Sequence, residues 1–502
     1  MPTTYVTVAI PYVNSTPHLG YAYELVQADI YARSRRLAGD RVRFLGGTDD
    51  HSLKNVLAAE AAGVPIRDFV DSHAARFAAL ARPLGLSFDD FIRTSADPRH
   101  APAVQRLWRA CGERGDLYER AYEGDYCVGC EQFYDAGELD RGRCPEHGSP
   151  TERVAERNWF FRLSAYQDAL ERLISSGELA IRPRPFADEA LAFVRRGVDD
   201  ISISRSVDRA RGWGIRVPGD PTQVVSVWFD ALTNYLSALD FGDRSSENHR
   251  RWWLDADRRV HVIGKGILRF HAVYWPAFLL SAGQPPPTRI QVHPYLTVEG
   301  RKISKSGDRA ADPAEVAARY GTDALRWWFA RDVGAVADTD FTRERLVARA
   351  DEDLANALGN VVNRVATLVH RTRGGRVPEP SPAAGGAPLA AVRGLEQEAA
   401  DAIADFDLRG ATRRIVDAVA TLNRDLEATR PWELARACDD GDRGRRGELD
   451  ALLARHVSTA RLIARAVRSI VPDLAVLLAH QLGGDGRDLP TPTPAVARLA
   501  SG

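Results

Sequence analysis

The first hundred residues alternate short apolar runs with a stretch of helical period. Residues 5–10 are β-branched and apolar, residues 21–38 repeat apolar side chains at helical spacing, and residues 42–46 form a second apolar run. The apolar runs end in the polar segments PYVNSTPHLG and GGTDDH. This order of strand, helix and strand predicts a parallel α/β sheet, whose ligands bind at the carboxyl ends of the strands.

A long segment then breaks this pattern before it resumes. Residues 116–225 are rich in turn-forming residues and hold three of the cysteines, which is typical of an insertion. Strand-like and helix-like runs return in QVVSVWFDALTNYLSAL, HVIGKGILRFHAVYWPAFLL and IQVHPYLTV. From about residue 341 onward the spacing of Ala, Leu, Val and Arg predicts an all-α bundle, with a Pro/Gly-rich loop over 374–388.

The composition indicates a globular protein of several domains but does not indicate which ligand it binds. The chain has 502 residues, 44% hydrophobic and 27% charged, as expected for a globular protein of several domains. Lys and Arg together number 67 against 68 Asp and Glu, so any nucleic-acid contact must use local patches. Because no run reaches the roughly 20 apolar residues of a membrane helix and no secretory signal is present, we expect a cytoplasmic protein without membrane contact.

Four residues have the spacing of a zinc site. Cys127 and Cys130 form one pair with two residues between them, and Cys144 and His147 form another. Three thiolates and one imidazole complete a tetrahedral Zn²⁺ shell with no open position, so we expect one structural zinc per chain. The odd total of five cysteines also argues against a disulfide framework.

Two short motifs carry residues suited to phosphate chemistry. HLG at 18–20 lies between the first strand and the first helix, where the N–H groups of a helix N-terminus attract anions. KISKS at 302–306 holds two of the four lysines, whose ammonium groups can stabilise charge on a transferring phosphoryl group. Each motif alone is common in helix caps or solvated loops, whereas the two in this order are far more specific.

At this point the chain resembles the class I aminoacyl-tRNA synthetases, and more closely the methionyl-tRNA synthetase family, to about residue 480. The matching stretches are AIPYVNSTPHLG, GTDDH, CVGC with CPEH, DDISISR, VPGDP, VWFDALTNY, HVIGK, KISKS, YGTDALRWWF and RPWEL. The resemblance implies ATP-dependent activation of methionine, with Mg²⁺ accompanying ATP, and transfer of methionine to the 3′ end of tRNA.

The resemblance also implies a division of the chain. It predicts a Rossmann-type parallel-sheet catalytic domain with a zinc-bearing insertion, followed by an all-α helical bundle domain. The expected segments are the two catalytic halves 1–115 and 226–295, the connective insertion 116–225, the KISKS loop with a stem-contact segment 296–345, the helical anticodon-binding domain 346–485, and a flexible tail 486–502.

Site residues follow from the same resemblance. Catalytic roles at the ATP phosphates would fall to His18, Lys302 and Lys305. ATP binding would use His18 and Lys305 together with Gly20, Tyr21, Gly264 and Gly266. Asp49 would bind the substrate ammonium through a charge-assisted hydrogen bond. The methionine pocket would be lined by Ile10, Tyr12, Trp228, Ala231, Leu232, Tyr235 and His271, although WFDALTNY alone has the spacing of an ordinary core helix.

In the helical part, Trp432 of RPWEL would stack on an anticodon base, and Asn363 would lie near the same bases. A Trp that follows Pro at the start of a helix is also common as a packed indole. We expect a monomer that binds tRNA, ATP, and methionine or a close analogue.

Several family motifs are altered around the nucleotide. Tyr21 replaces the second histidine of HLGH, and a phenol lacks the charge of an imidazolium. Gly266 stands where the family has an Asp that binds the ATP ribose. Loss of a hydrogen bond to a charged group corresponds to roughly 1.5–3 kcal/mol, so ATP affinity is expected to fall about 10- to 100-fold. Further differences are Asp50 and Ser52 in GTDDHS, His293-Pro294, and Arg216 in WGIR.

The sequence therefore favours a methionine-activating synthetase and leaves two alternatives. One is a divergent paralogue, either an inhibitor-resistant copy or an enzyme for a related amino acid in specialised metabolism. The other is a tRNA-binding regulatory protein whose adenylation site has decayed. Intact His18, Asp49, Lys302 and Lys305 argue against decay, while Tyr21 and Gly266 argue for divergence.

Overall fold

The computed structural model describes residues 1–134, 136–146, 148–298, 301–302, 312–379, 388–440 and 442–499. Its strands are β1 Thr3–Val8, β2 Arg41–Thr48, β3 Asp90–Arg93, β4 Leu117–Cys127, β5 Gln132–Tyr134, β6 Glu152–Phe161, β7 Ala180–Arg182, β8 Ile201–Ser202, β9 Ser204–Ser206, β10 Arg216–Val217, β11 Asp220–Val225, β12 Arg258–Gly264, β13 Arg289–His293, β14 Leu296–Val298, β15 Arg301–Lys302 and β16 Thr339–Phe341.

The helices lie mainly between the sheet strands and in the C-terminal third. They are α1 Leu19–Leu37, α2 Leu53–Ala62, α3 Ile66–Ala79, α4 His100–Glu113, α5 Gln167–Ser175, α6 Arg184–Arg195, α7 Val227–Ser237, α8 Glu247–His249, α9 Trp275–Ser281, α10 Pro313–Tyr320, α11 Thr322–Asp332, α12 Arg343–Arg349, α13 Asn360–Arg373, α14 Leu395–Ala404, α15 Leu408–Thr429, α16 Pro431–Asp439, α17 Arg446–Ala466 and α18 Pro472–Gln481.

The main sheet is parallel, and among the described residues its strand order is β3–β2–β1–β12–β13–β7. The chain proceeds from β1 to β2 on one side, and the later strand β12 pairs with β1 on the other. This reversal of direction is a topological switch point, where a crevice opens at the carboxyl ends of the strands. Ligands are therefore expected between the ends of β1 and β12.

Helices cover both faces of this sheet, as its buried strands require. On one face, Val6 and Val8 of β1 pack in a core shared with α1, α3 and the C-terminal helices. On the other face, Tyr5 packs in a core shared with α4, α7 and α9, and also with α5 and α6. The two faces of one strand thus bind the C-terminal helices and the inserted helices to the same sheet.

The insertion is not confined to its own sheet. Strands β4, β5, β6 and β8 form a separate antiparallel sheet, whose long β4–β6 pair runs from Leu117–Phe161 to Tyr126–Glu152. Between β6 and β8 the chain returns to the main sheet, where β7 pairs in parallel with β13 at the edge. Residues 180–182 therefore belong structurally to the main sheet, although they lie inside the segment 116–225 that the sequence predicts as inserted.

A buried arginine joins the part that contains the main sheet to the C-terminal helices. Arg326 of α11 is fully buried and donates to the Asp29 carboxylate of α1 at 2.7 Å, to the Leu84 carbonyl at 2.9 Å, and to the Ile470 carbonyl at 2.8 Å. Although burial opposes ionisation, the guanidiniums of Arg326 and Arg33 lower the pKa of Asp29. The predicted parallel sheet and the predicted helical bundle are both confirmed, while the segment boundaries remain predictions.

Candidate active site

A cavity of about 480 Å³ opens at the carboxyl edge of the main sheet. The strand order places Asp49, after β2, on one side of the β1 end, and the ends of β12 and β13 on the other. The residues that line it include Ala9, Ile10 and Tyr12 after β1, Gly264 and Gly266 at β12, and His293 and Tyr295 at β13. The cavity therefore spans the switch point of the sheet.

Helix α7 supplies one wall through side chains on a single face. Trp228, Ala231, Leu232 and Tyr235 have the spacing i, i+3, i+4 and i+7, and all four line the cavity. The Trp228 indole stacks on the Phe270 ring, with centroids 3.5 Å apart and planes at 6°. This wall is apolar and aromatic, a surface that suits a polarizable thioether.

Tyr235 and His271 form a buried hydrogen-bonded pair in this wall. The Nδ1 atom of His271 lies 3.0 Å from the Ile267 carbonyl, which can only accept, so Nδ1 carries the proton. Nε2 then accepts from the Tyr235 hydroxyl at 2.8 Å. Burial lowers the pKa of His271 to about 4, so the imidazole is neutral at pH 7. The pair is a fixed neutral dipole in the wall.

Tyr12 and Asp49 lie together where the chain leaves β1 and β2. The two residues form an isolated parallel bridge, and Asp49 is 2% exposed. Among the described residues the Tyr12 hydroxyl is buried without a hydrogen-bond partner. Burial, followed by the nearby carboxylates of Asp230 and Asp50, raises the pKa of Asp49 well above its usual range. A carboxylate and a phenol in this state are suited to bind a cationic polar group.

The start of α1 is built as the HLG motif predicts. His18 is the N-cap residue, and its Nδ1 atom accepts the Tyr21 N–H at 3.3 Å. His18 also lines the cavity together with Gly20, so the capping role and a ligand-binding position occur in one residue. The backbone N–H groups of a first helical turn lack intrahelical acceptors and favour an anion.

Tyr21 is directed mainly into the protein. It is 7% exposed, its ring packs against Phe77, and its hydroxyl lies 3.5 Å from the Gly47 carbonyl. Burial, followed by the carboxylate of Glu24, raises the pKa of this phenol. Tyr21 therefore remains a neutral wall residue of the cavity.

Gly266 needs its small size for a reason that the sequence does not reveal. It lies in the short 3₁₀ turn Lys265–Ile267. A Cβ atom at this position would be 1.9 Å from the hydroxyl oxygen of Tyr295. The position is therefore filled by a neighbouring side chain, and an Asp introduced here alone would collide with that phenol.

Sequence reasoning missed several residues of the cavity. Glu24 accepts the Ala9 N–H at 2.8 Å and pairs with His293 at 2.9 Å, and its pKa is raised by burial. Its signal was an acidic residue on the buried face of α1, three positions after Tyr21. Lys54, Glu146 and Tyr295 also line the cavity. They lie far apart in the chain and come together only in the folded structure, so the sequence gives no local signal for them.

A second missed feature fixes the opposite face of α7. The buried Asp230 carboxylate contacts His51 Nδ1 at 2.8 Å and His100 Nε2 at 2.5 Å. Although burial opposes ionisation, these imidazoles lower the pKa of Asp230 well below its usual range. Through them α7 is tied to the segment that follows β2 and to the start of α4.

Three of the four predicted metal ligands meet in the insertion. The sulfur atoms of Cys127, Cys130 and Cys144 lie within 4.8 Å of one another, and the three side chains are buried. Tyr134 donates to the Cys130 sulfur at 3.0 Å. Three soft sulfur donors in one cluster fit a tetrahedral metal ion. The fourth predicted ligand, His147, lies outside the described residues.

This thiol cluster touches the cavity directly. The Cys130 carbonyl accepts the Trp228 indole N–H at 2.7 Å, and the neighbouring Glu131 carboxylate accepts the Leu53 N–H at 2.5 Å. Arg205 and Tyr126 each donate to Glu131 at 2.6 Å. The cluster therefore positions both the aromatic wall and the start of α2.

A sequence profile of the family described as tRNA synthetases class I (M) matches residues 4–155 and 137–366. The methionine–tRNA ligase of Brucella suis biovar 1 is 39% identical over 511 residues, which cover 98% of this chain and 97% of that protein. The chain belongs to the methionyl-tRNA synthetase family. The resemblance predicted from the motifs is confirmed.

Solved structures of this family agree over the full length. The Mycobacterium tuberculosis methionyl-tRNA synthetase in complex with methionyl-adenylate has a TM-score of 0.92 at 36% identity, covering 99% of each chain. The free-state form of the M. tuberculosis enzyme has a TM-score of 0.87 at 34% identity, covering 100% of this chain and 99% of that one. The backbone of this family member is thus nearer to the adenylate complex.

Two groups of predicted residues either do not line the cavity or lie outside the described residues. Lys302 ends β15, whose backbone pairs with Thr297 of β14, while Lys305 lies outside the described residues. In the helical part, Asn363 of α13 and Trp432 of α16 are half-buried, and the guanidinium of Arg364 lies 5.9 Å from the Trp432 ring centroid. In the described part of this synthetase, no helix has the length and hydropathy needed to cross a bilayer.

Proposed function

We propose that this protein is a methionine–tRNA ligase, which activates methionine with ATP and transfers it to the 3′ end of tRNA. The observation that carries the proposal is one cavity that spans the switch point, with a buried carboxylate and aromatic wall at one end and the helix N-terminus with Gly264 at the other. Such a cavity holds an amino acid and a nucleotide side by side.

The first step joins the two substrates. The methionine carboxylate attacks the α-phosphorus of ATP, the bond to the bridging oxygen breaks, and pyrophosphate leaves with methionyl-adenylate formed. Asp49 and Tyr12 hold the substrate ammonium, and the α7 wall with His271 encloses the thioether. The 3′-terminal ribose hydroxyl of tRNA then attacks the carbonyl carbon and releases AMP. Positioning and electrostatics carry both steps, and no side chain forms a covalent bond.

The phosphates are assigned to α1 and the lysines. His18 and the first turn of α1 supply hydrogen-bond donors beside Gly20. Lys302 and Lys305 supply point charges that follow the leaving pyrophosphate, and Mg²⁺ enters with ATP. The chain direction supports this assignment, because β13 ends at the cavity and continues into the β14–β15 hairpin that carries Lys302.

The thiol cluster is proposed to hold one structural Zn²⁺ through Cys127, Cys130, Cys144 and His147. The three buried sulfur atoms support this donor set, and a closed shell leaves no position for substrate. Its contribution to the reaction is indirect, because the Cys130 carbonyl positions the Trp228 indole.

The helical part is proposed to bind the tRNA anticodon through Trp432 and Asn363. Arg364 supports the pairing, since it lies next to Asn363 in the chain and its guanidinium lies over the Trp432 ring. Arg364 also bonds Glu427 at 2.6 Å, so it is held in this position. A stacking platform flanked by a cation suits a splayed RNA base. We propose that the protein acts as a monomer in the cytoplasm.

Amino-acid-dependent exchange of pyrophosphate into ATP, measured across the twenty amino acids with and without tRNA, tests the function. The proposal expects strong exchange with methionine, without tRNA, and its loss in Lys305→Ala. Lys305→Arg should also be slow, because a planar guanidinium replaces a compact charge. Exchange with another amino acid would identify a divergent paralogue. No exchange with any amino acid, together with retained tRNA binding, would identify a regulatory protein.

A further inference from the structure

The hydroxyl of Tyr295 occupies the space directly above Gly266. A Cβ on Gly266 would lie 1.9 Å from the Tyr295 hydroxyl oxygen, 3.2 Å from its Cζ atom and 3.4 Å from Oε2 of Glu146. The backbone at Gly266 does not have the positive φ that favours glycine. Lack of space, rather than backbone conformation, is therefore what requires glycine at this position.

Contacts with Asp338 and Lys265 hold Tyr295 in this orientation. The backbone N–H of Tyr295 donates to Asp338 Oδ1 at 2.9 Å, and Lys265 Nζ donates to the same oxygen at 2.7 Å. The Lys265 ammonium also lies 4.7 Å from the centroid of the Tyr295 ring. A cation held over the ring face by a fixed carboxylate restrains the phenol more than a single packing contact would.

The phenol and Glu146 form a polar pair at the nucleotide end of the cavity. The Tyr295 hydroxyl and the Glu146 carboxylate oxygen are 3.5 Å apart, and both residues line the cavity with Gly264, Gly266 and His293. A hydroxyl that donates and accepts, beside a carboxylate that accepts, is complementary to two adjacent alcohol groups. The sugar of a nucleotide has such a pair, and the triphosphate is assigned to the neighbouring start of α1.

We propose that Tyr295 and Glu146 bind the ribose hydroxyls of ATP above Gly266, in place of a side chain at position 266. This inference rests on the proposed function, because it takes the nucleotide at this end of the cavity to be the ATP of the activation step. It makes a residue of the insertion, Glu146, part of the nucleotide site. It also makes Gly266 and Tyr295 a coupled pair in which the phenol requires the glycine.

The first test measures methionine-dependent pyrophosphate exchange with ATP, 2′-deoxyATP and 3′-deoxyATP. Loss of one hydrogen bond corresponds to roughly a 2- to 13-fold change, so Tyr295→Phe should raise the KM for ATP about 3- to 10-fold, with the KM for methionine unchanged. For at least one deoxy analogue, the drop in kcat/KM relative to ATP should be smaller in Tyr295→Phe than in the parent, because the variant has already lost the contact with that hydroxyl. Glu146→Gln should show the same pattern for the other hydroxyl.

The matched control is Tyr118→Phe, which removes a phenol that donates to the Asp200 carboxylate at 2.7 Å and does not line this cavity. This variant should keep the parent KM for ATP and the parent ratio of kcat/KM for ATP to kcat/KM for each deoxy analogue. Equal deoxy ratios in the parent, Tyr295→Phe and Glu146→Gln would overturn the proposal.

The second test measures the coupling between positions 266 and 295. Gly266→Ala should raise the KM for ATP strongly in the parent and much less in the Tyr295→Phe background, where the colliding oxygen is gone. Additive effects would contradict the coupling. A parent without exchange for any amino acid would contradict the proposed function instead. ATP and deoxyATP binding by calorimetry on the same variants would then decide the ribose contact on its own.

Discussion

The hydroxyl of Tyr12 has no hydrogen-bond partner among the described residues, so one substitution is expected to change methionine binding and protein stability in opposite directions. Tyr12→Phe removes an oxygen that is buried without a hydrogen-bond partner among the described residues. Such a group costs the folded state about 1–3 kcal/mol in lost hydration. The variant should therefore be more stable than the parent without substrate, by about 1 kcal/mol. If the hydroxyl binds methionine, the same variant should raise the KM for methionine about 3- to 10-fold.

Tyr235→Phe is the matched control from the same cavity. Its hydroxyl donates to His271 Nε2 at 2.8 Å, so its removal leaves that buried acceptor without its donor. This variant should lose about 1–3 kcal/mol of stability. The two hydroxyl groups are both buried and both residues line the cavity, and they differ in whether the hydroxyl is already bonded.

The assay is urea unfolding of the parent and both variants, with and without saturating methionine, followed by pyrophosphate exchange. Tyr12→Phe should unfold at higher urea than the parent without methionine, and should gain less from added methionine. The reasoning is refuted if Tyr12→Phe is destabilised as much as Tyr235→Phe and keeps the parent KM for methionine.

Three further predictions follow from the same contacts. If the thiol cluster holds the proposed zinc, a chelator should weaken the binding of both methionine and ATP, because the same unit positions the Trp228 indole through Cys130 and carries Glu146; titration calorimetry with each substrate checks this. Methionine affinity should rise as the pH rises above about 3.9, the usual pKa of Asp, and should then level off. The reason is that the raised pKa of Asp49 makes the bound ammonium displace a proton from this carboxyl group. Calorimetry in two buffers with different ionisation enthalpies should show that protons are released on binding. Trp432→Ala should lower tRNA charging at limiting tRNA while methionine-dependent exchange without tRNA stays at the parent rate, because stacking on a base contributes roughly 1–3 kcal/mol.

Short-range patterns in the sequence account for much of the fold. Alternating strand and helix runs predicted the parallel sheet, and helical spacing after residue 341 predicted the bundle. The spacing i, i+3, i+4 and i+7 predicted a shared face of α7, whereas the assignment of that face to a methionine pocket came from the family resemblance. The short strand β7 was not predicted, because three residues within an insertion carry no signal for pairing with a distant strand.

The missing parts of the site depend on contacts between distant segments. From the sequence, Gly266 was interpreted as the loss of the family's Asp. A comparison of motifs shows only which residue type is present at position 266, and not that the Tyr295 hydroxyl fills the space beside it. Tyr295 is 29 positions further along the chain, and its hydroxyl reaches Gly266 only because β12 and β13 are neighbours in the sheet. The pairs Glu24 with His293 and Asp230 with His100 were missed for the same reason.

These contacts change the role that can be given to the insertion. The Cys130 carbonyl holds the aromatic wall at the amino-acid end, and the Glu131 carboxylate holds the start of α2, which follows Asp49. At the nucleotide end, Glu146 lies beside the Tyr295 hydroxyl. All three residues lie within or next to the thiol cluster, so one small folded unit touches both ends of the cavity. A metal that orders this unit would therefore act on the binding of both substrates, although none of its ligands has to meet either one.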